Sequence, residues 1–342
     1  MTLVADRATD RPAVGRRRMG APAAAVLAVG AVALVVALSV VVGSRWVPLE
    51  AVVDPTHPLH VVSQARLDRT ALGLVVGAAL GLAGACLQGL TRNPLADPGI
   101  LGVNAGAAFA MVVAISVFGV SDLEHYVWFA FLGGAVAAVV VHLVASLGRD
   151  GATPVKLAIA GAALTAAVTS WTSAVLLIDR STMETFRLWQ VGTVGGRDLA
   201  VLATGLPFLL VGAVLALTGA RVLNALALGD DLARGLGRRT ATDRVLLGLA
   251  AVLLAGAATA LAGPIAFVGL MAPHAVRSVV GADYRSVLPL AAVAGAVIVV
   301  LADTLGRVVL PPTEVQVGIM TAVIGAPAFL WLVRGGRTGA AL

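Results

Sequence analysis

The chain has 342 residues, 59% hydrophobic and 12% charged, with 24 basic residues against 18 acidic ones and a formal charge of +6. A soluble domain carries about 25% charged residues, so a purely aqueous surround is excluded and lipid is the solvent this chain is built for. A single cysteine, Cys86, excludes a disulfide within the chain, no CxxC or Cys/His zinc spacing occurs, and the basic excess points to cytoplasmic loops rather than nucleic acid.

Residues 1–20 form a polar tail carrying Arg7, Arg11, Arg16, Arg17 and Arg18. The apolar run Ala21–Gly43 that follows is longer than the core of a secretory signal, about 7–15 residues. It reads as a first span with its basic start inside. Further charge-free runs are Thr70–Leu90, Pro98–Ser121, Tyr126–Leu147, Leu157–Ile178, Leu199–Ala220, Val245–Pro273, Ser286–Ala302 and Val315–Val333. About 20 apolar residues cross about 30 Å of hydrocarbon, and most runs reach that length. Ser286–Ala302 is short, so its span is expected to continue past Asp303. Val245–Pro273 is too long for one span. Gly263-Pro264 interrupts it, and proline cannot continue a helix without losing a hydrogen bond, so the run reads as two spans, the second short.

The distribution of charge then sets the topology. Ten spans with both termini cytoplasmic place 17 of the 24 basic residues inside, leaving seven outside: Arg45, Arg66, Arg69, Arg180, Arg187, Arg197 and Arg307. That satisfies the excess of positive charge expected on the inner side. A nine-span arrangement would put Arg277, Arg285, Arg334 or Arg337 on the wrong side. The chain is thus expected to be an all-α integral membrane protein of about ten helices, with tails at 1–20 and 334–342 and a transmembrane body at 21–333.

Within that body, Gly73, Gly77 and Gly81 recur every four residues, a spacing that lets helix backbones approach closely in lipid. Arg221–Arg244 is the longest polar interruption, with five arginines and three aspartates. Asp230 reads as an N-cap, Leu232 and Leu236 as the apolar side of a short amphipathic turn, and Gly235 and Gly237 as its end. Such a segment is either a handle for a soluble partner or a solvated connector. Arg66 and Arg69 lie three apart on one helical face, and Arg307 lies four after Asp303. They read as lipid-headgroup anchors and an Asp303–Arg307 ion pair, or as a positive outer face for an acidic docking partner.

Chemistry of other kinds finds little footing. Lys156, the only lysine, follows Val155 rather than a glycine-rich loop, so ATP hydrolysis by a P-loop is excluded. His57 and His60 in DPTHPLH read as loop histidines before metal ligands. His142 lies inside an apolar run, where an ionisable residue is a functional candidate, yet no acidic partner shares its span. No nucleophile–base–acid grouping, HExxH motif or paired intramembrane carboxylates emerge, which argues against an enzyme.

At LQGLTRNPLADPGILGVNAGA (87–107) the sequence resembles the FecCD family of ABC importer permeases for ferric siderophores, haem and cobalamin. The resemblance continues through ALALGDDLARGLG (225–237), AGPIAFVGLMAPHAVR (262–277) and VGIMTAVIGAPAFLWL (317–332). It implies a type II ABC importer permease fold of ten helices at 21–333, two permease subunits per transporter (identical or paralogous), and a pathway along their interface. It also implies that Gly229, Asp230, Asp231, Leu232, Ala233, Arg234, Leu236 and Gly237, within the 221–244 cytoplasmic loop, couple to two ATPase subunits. Arg66, Arg69 and Arg307 become docking residues for an extracytoplasmic substrate-binding lipoprotein, and Thr153, Pro154 and Val155 the inner gate. No cofactor is bound directly; ATP is used by the partner. The family usually reads RLPR where this chain has Asp68 between the arginines, and ELPVG where it has EVQVG (314–318), with Gln316 in place of the proline. Asp68 would partly neutralise the docking face.

The expectation from sequence is therefore a multi-pass permease of the cell membrane, moving a ferric siderophore, with haem or cobalamin as alternative cargo. A secondary transporter is the competing class. It would place ionisable groups at mid-membrane, where these spans offer only His142.

Overall fold

A computed structural model describes residues 19–120, 123–148, 152–197 and 199–334. Most of both tails, with the arginines of residues 1–18 and Arg337, lies outside the described residues, as does Arg149. Among the described residues the structure is helical throughout and contains no strand. In chain order the helices are α1 (Ala21–Val41), α2 (Glu50–Val53), α3 (His60–Thr91), a 3₁₀ turn (Pro98–Leu101), α4 (Val103–Phe118) and α5 (Leu123–Ala145). Then come α6 (Pro154–Ile178), α7 (Arg180–Gln190), α8 (Leu199–Thr218), α9 (Ala220–Ala227) and α10 (Asp230–Gly235). The series ends with α11 (Thr240–Ala262), α12 (Val268–Val280), α13 (Tyr284–Val309) and α14 (Val317–Arg334).

Seven of these, α1, α3, α5, α6, α8, α11 and α13, are long and apolar enough to cross a membrane, and α4, α12 and α14 are shorter apolar helices. Where lipid is the solvent, backbone groups must be satisfied within each helix, and the repeated runs of Ala, Val, Leu and Gly face it with apolar side chains.

α3 is the axis of the bundle: its most apolar window is 78% buried, against 17% for α6. The cause is legible in its small residues. A Cβ added at Gly77 would stand 2.4 Å from the Gly295 carbonyl oxygen, and one at Gly81 would stand 2.1 Å from that of Ala291, both in α13. One at Gly84 would meet the Gly269 carbonyl oxygen in α12 at 2.0 Å. Three backbones therefore touch along one stripe of α3, the close packing that small residues allow in membranes. Gln88 Nε2 adds a hydrogen bond to the Gly269 carbonyl at 3.2 Å.

The Val245–Pro273 run is broken as its sequence suggests. α11 stops at Ala262 and α12 starts at Val268, with Gly263 between them at φ +76°. A side chain there would be strained and would strike the Trp189 carbonyl oxygen at 2.2 Å. Likewise, α13 carries on past Asp303 to Val309. Between the apolar runs that end at Ile178 and begin at Leu199, Arg180–Gln190 forms the helix α7. Asp179 starts this helix: its Oδ1 accepts from the amides of Ser181 and Thr182, at 3.0 and 3.2 Å, the arrangement of an N-cap. Buried Phe186 and Trp189 hold its inner face.

Candidate functional site

Three places in the fold gather the residues singled out by sequence. The first is the end of the bundle where α1 and α13 finish and α3 begins. Arg66 Nη1 donates to the carbonyls of Val40 and Val41 at 2.9 and 3.0 Å, and Nη2 donates to that of Arg45 at 2.7 Å. These carbonyls lie at and just past the C-terminal end of α1, where a helix leaves acceptors without internal partners, so Arg66 caps it. Arg69 donates through Nε and Nη2 to Asp303 at 2.7–2.9 Å, and through Nη1 to Glu314 at 2.6 Å. Arg307 donates to the Ser39 carbonyl at 2.9 Å, to Ser39 Oγ at 2.8 Å and to Thr304 Oγ1 at 3.1 Å. Its Nε stands 3.4 Å from Asp303.

Arg66 and Arg307 are only 7% and 1% exposed within this chain, and their guanidinium groups meet protein acceptors rather than open water. The reason is electrostatic: cations inside the fold need acceptors, and the carbonyls at and after the end of α1, with Asp303 and Glu314, provide them. The Asp303–Arg307 ion pair is present. Asp68 forms no ion pair with either neighbouring arginine among the described residues.

The second place is a groove along α6. An open cavity of about 1240 Å³ is lined on one side by Ala158, Gly161, Thr165, Thr169, Ser170 and Ser173 of α6, and reaches Asp97 and Phe267 on the other. The α6 side of this cavity carries mainly small and hydroxylated residues, with Leu177 alongside them. Trp171, Leu177 and Ile178 are also exposed on this helix. Thr153 caps the start of α6, with Oγ1 accepting from the Lys156 amide at 3.3 Å. Pro154 opens the helix and Val155 is exposed.

The third place is the loop between α8 and α11, folded as α9 and α10. Leu232 and Leu236 are 61% and 64% exposed, whereas Ala233 is fully buried. Asp231 pairs with Arg234 at 3.1 Å on the exposed side. Gly229 precedes α10 at φ +111°, a backbone state suited to glycine, and Gly237 follows it at φ +78°.

Asp230 is placed differently from its reading as an N-cap. Gly229 holds the cap position and no side chain caps α10. Asp230 instead accepts from Arg92 of the α3 C-terminus, and from Arg244 Nη2 of α11 at 2.8 and 3.2 Å. Partial burial disfavours its charge, but the bonds and charges of Arg244 and Arg92 outweigh that and hold Asp230 below the usual carboxylate range. Close by, Arg277 of α12 bonds Gln88 of α3 and lies 5.5 Å over the Tyr284 ring, while Asn224 bridges Asp283 and the Tyr284 amide at 2.7 and 3.0 Å. These partners, far apart in sequence, carry no local signal that would pair them.

His57 and His60 are held locally, His57 Nδ1 accepting from the Leu59 amide at 3.1 Å and His60 Nδ1 lying 2.9 Å from the Ala51 carbonyl. Among the described residues no three His, Cys, Asp or Glu side chains gather as a metal site.

The FecCD transport family profile matches residues 31–335. The chain is 43% identical over 281 residues to the "Probable siderophore transport system permease protein YfiZ" of Bacillus subtilis, covering 82% of this chain and 84% of that one. It is 42% identical over 311 residues to the ferric enterobactin transport system permease protein FepD of Escherichia coli, covering 89% and 93%. Among solved structures, one described as an inward-facing metal-chelate type ABC transporter superposes with a TM-score of 0.81 at 28% identity, covering 92% of this chain and 99% of that one. With a membrane-spanning helical body that matches from the first apolar helix to the last, the chain belongs to the FecCD transport family of ABC importer permeases.

Proposed function

We propose that this chain forms half of the membrane pathway of an ATP-driven importer for ferric siderophores, with ten spans and both termini in the cytoplasm. The observation that carries the reading is α6, a helix of membrane length that packs on α4 and α5 yet is little buried within one chain, and that lines an open groove mainly with threonine, serine and small residues. Lipid is a poor neighbour for such a face, whereas a second permease subunit would enclose it as a pathway for bulky polar cargo. The siderophore assignment is supported by relatives at 42–43% identity whose names carry it.

In this mechanism a loaded binding protein docks on the outer face, and ATP closes two cytoplasmic ATPase subunits. Leu232 and Leu236, exposed on the α10 segment, seat in those subunits and pass on their motion. The permease subunits then rock about the α6 seam, and the Thr153–Val155 entry to α6 opens inward. The outer arginines take part as the clamp that sets the ends of α1, α3 and α13 under the docking face. Arg69, whose guanidinium also meets the partly exposed Glu314, is the one best placed to meet a docked carboxylate.

A secondary transporter would need ionisable groups free to change charge at mid-membrane. Asp303, Arg69 and Arg307 are instead tied to one another at the outer helix ends. The test is co-expression with a Walker-motif ATPase and a binding lipoprotein. The purified chain alone should hydrolyse no ATP, and the assembled complex should do so. Hydrolysis by the isolated chain, surviving removal of contaminants, would overturn the reading.

A further inference from the structure

Asp230 lies in the segment assigned to the ATPase, yet its half-exposed side chain turns back to arginines of the chain's own spans. Arg92 holds it from one side and Arg244 from the other. Arg92 also donates through Nε to the Leu226 carbonyl at 2.6 Å, so one guanidinium grips the end of α9 and the start of α10 together. It can do so because it ends α3 in the left-handed conformation, φ +49°, which turns the chain and its side chain back toward α9. Arg244 sits in the second turn of α11, so the same carboxylate connects α10 to two spans.

Beneath this cluster lies a polar cavity of about 410 Å³. Arg92, Asp230, Arg234 and Arg244 form one side of it, and Ala152 and Thr153, at the entry to α6, form the other. A second, largely apolar cavity of about 490 Å³ rises behind it and shares Thr91, Ala152, Ala241 and Arg244 as walls. The entry to α6 therefore faces the Asp230 cluster across space that can change volume without breaking packed contacts, whereas filled interiors resist such change.

We propose that Asp230, with Arg92 and Arg244, is the joint that passes movement of α10 to the inner ends of α3 and α11 and so to the gate at Thr153–Val155. These are positioning residues, distinct from the outward face of Leu232 and Leu236. A push on that outward face moves α10 about the glycine at 229. The ionic joint makes α3 and α11 follow, and the cavity wall at 152–153 shifts with them. Ion pairs this exposed contribute little to stability, so the joint can be cut in a folded protein. The proposal rests on the importer reading above.

The test uses the complete transporter in nanodiscs, with a spin label on a cysteine at the exposed position Val155 in both permease subunits. The distance between labels is measured with and without a non-hydrolysable ATP analogue, so no cargo is needed. The parent complex should show a nucleotide-dependent distance change. Asp230→Asn should at least halve that change and Asp230→Glu should restore it; Arg92→Gln, which lies outside the segment assigned to the ATPase, should halve it too while ATPase subunits co-purify as before and hydrolysis persists. Adding Arg92→Gln to Asp230→Asn should lose nothing further, since residues acting as one unit are not additive. An unaltered change in both Asp230→Asn and Arg92→Gln, or fully additive losses, would overturn the joint while leaving the importer reading intact. Failure of any ATPase to co-purify with the parent chain, or a parent gate indifferent to nucleotide, would overturn that reading, and the joint with it.

Discussion

Arg69 of α3 and Asp303 of α13 form an ion pair at 2.7 Å, with their side chains 12% and 4% exposed. It fastens the two helices that pack most closely, at one end of their shared seam. Breaking one side of a buried pair typically costs about 3–5 kcal/mol, because the survivor keeps its desolvation penalty without its partner. Asp303→Asn should accordingly lower the thermal midpoint of the detergent-solubilised protein clearly, and so should Arg307→Ala. A midpoint equal to that of the parent would show that these charges are not held as a buried cluster.

The same geometry governs tests of docking. An Arg→Ala change at position 66, 69 or 307 should weaken association with the binding protein together with stability. Arg69→Lys keeps the charge but loses the forked contact to Asp303 and Glu314, and should separate the two effects. Association rates measured beside melting curves decide the matter: slowed docking with an unchanged midpoint in Arg69→Lys assigns Arg69 a direct part.

The α3 stripe predicts a steric result. Gly81→Val would drive a side chain into the Ala291 carbonyl, whereas a Cβ at Gly248 of α11 would meet nothing within 4 Å. Overpacking commonly costs about 1–3 kcal/mol, and more is expected where the neighbour is backbone. Gly81→Val should give little monodisperse protein in size-exclusion chromatography, and Gly248→Ala a normal yield.

Much of this was legible beforehand. Apolar runs, the Gly263-Pro264 break and the glycine spacing of α3 are local signals, and lipid imposes helix on them. What stayed hidden were partners set by tertiary contact. Arg69 and Asp303 are 234 positions apart, and Arg92 and Asp230 are 138 apart. A lone arginine at an outer helix end reads as exposed until its acceptors are known. The α7 helix escaped for a different reason. Its polar sequence lacks a membrane-length apolar run, and only the Asp179 cap with buried Phe186 and Trp189 reveals it.

That cap yields a pH prediction. Hydrogen bonds from Thr182 and Ser181 pull Asp179 down to about 2, below its ordinary carboxylate value. A depressed folded-state pKa stabilises above the unfolded value, about 4, and the effect is lost as pH falls toward 2. Amide exchange in the first turn of α7 should therefore gain protection relative to an Asp179→Ala variant at neutral pH and converge with it near pH 2. Equal protection at neutral pH would contradict the cap.

On the α10 segment, Leu236→Asp should leave folding intact, since Leu236 is already 64% exposed. If this leucine seats in an ATPase groove, an unpaired carboxylate there costs several kcal/mol. The variant should insert normally and release the ATPase subunits during purification. Normal co-purification with normal uptake would remove α10 from the coupling surface.

The central claim is tested most directly in proteoliposomes that contain this permease, its ATPase and its binding protein, loaded outside with radio-iron as ferric enterobactin and, in parallel, as ferric citrate and a ferric hydroxamate. Accumulation of at least one chelate that requires internal ATP, requires all three components and persists when ion gradients are collapsed is the predicted result. Uptake driven by a proton or sodium gradient without the ATPase would contradict the account.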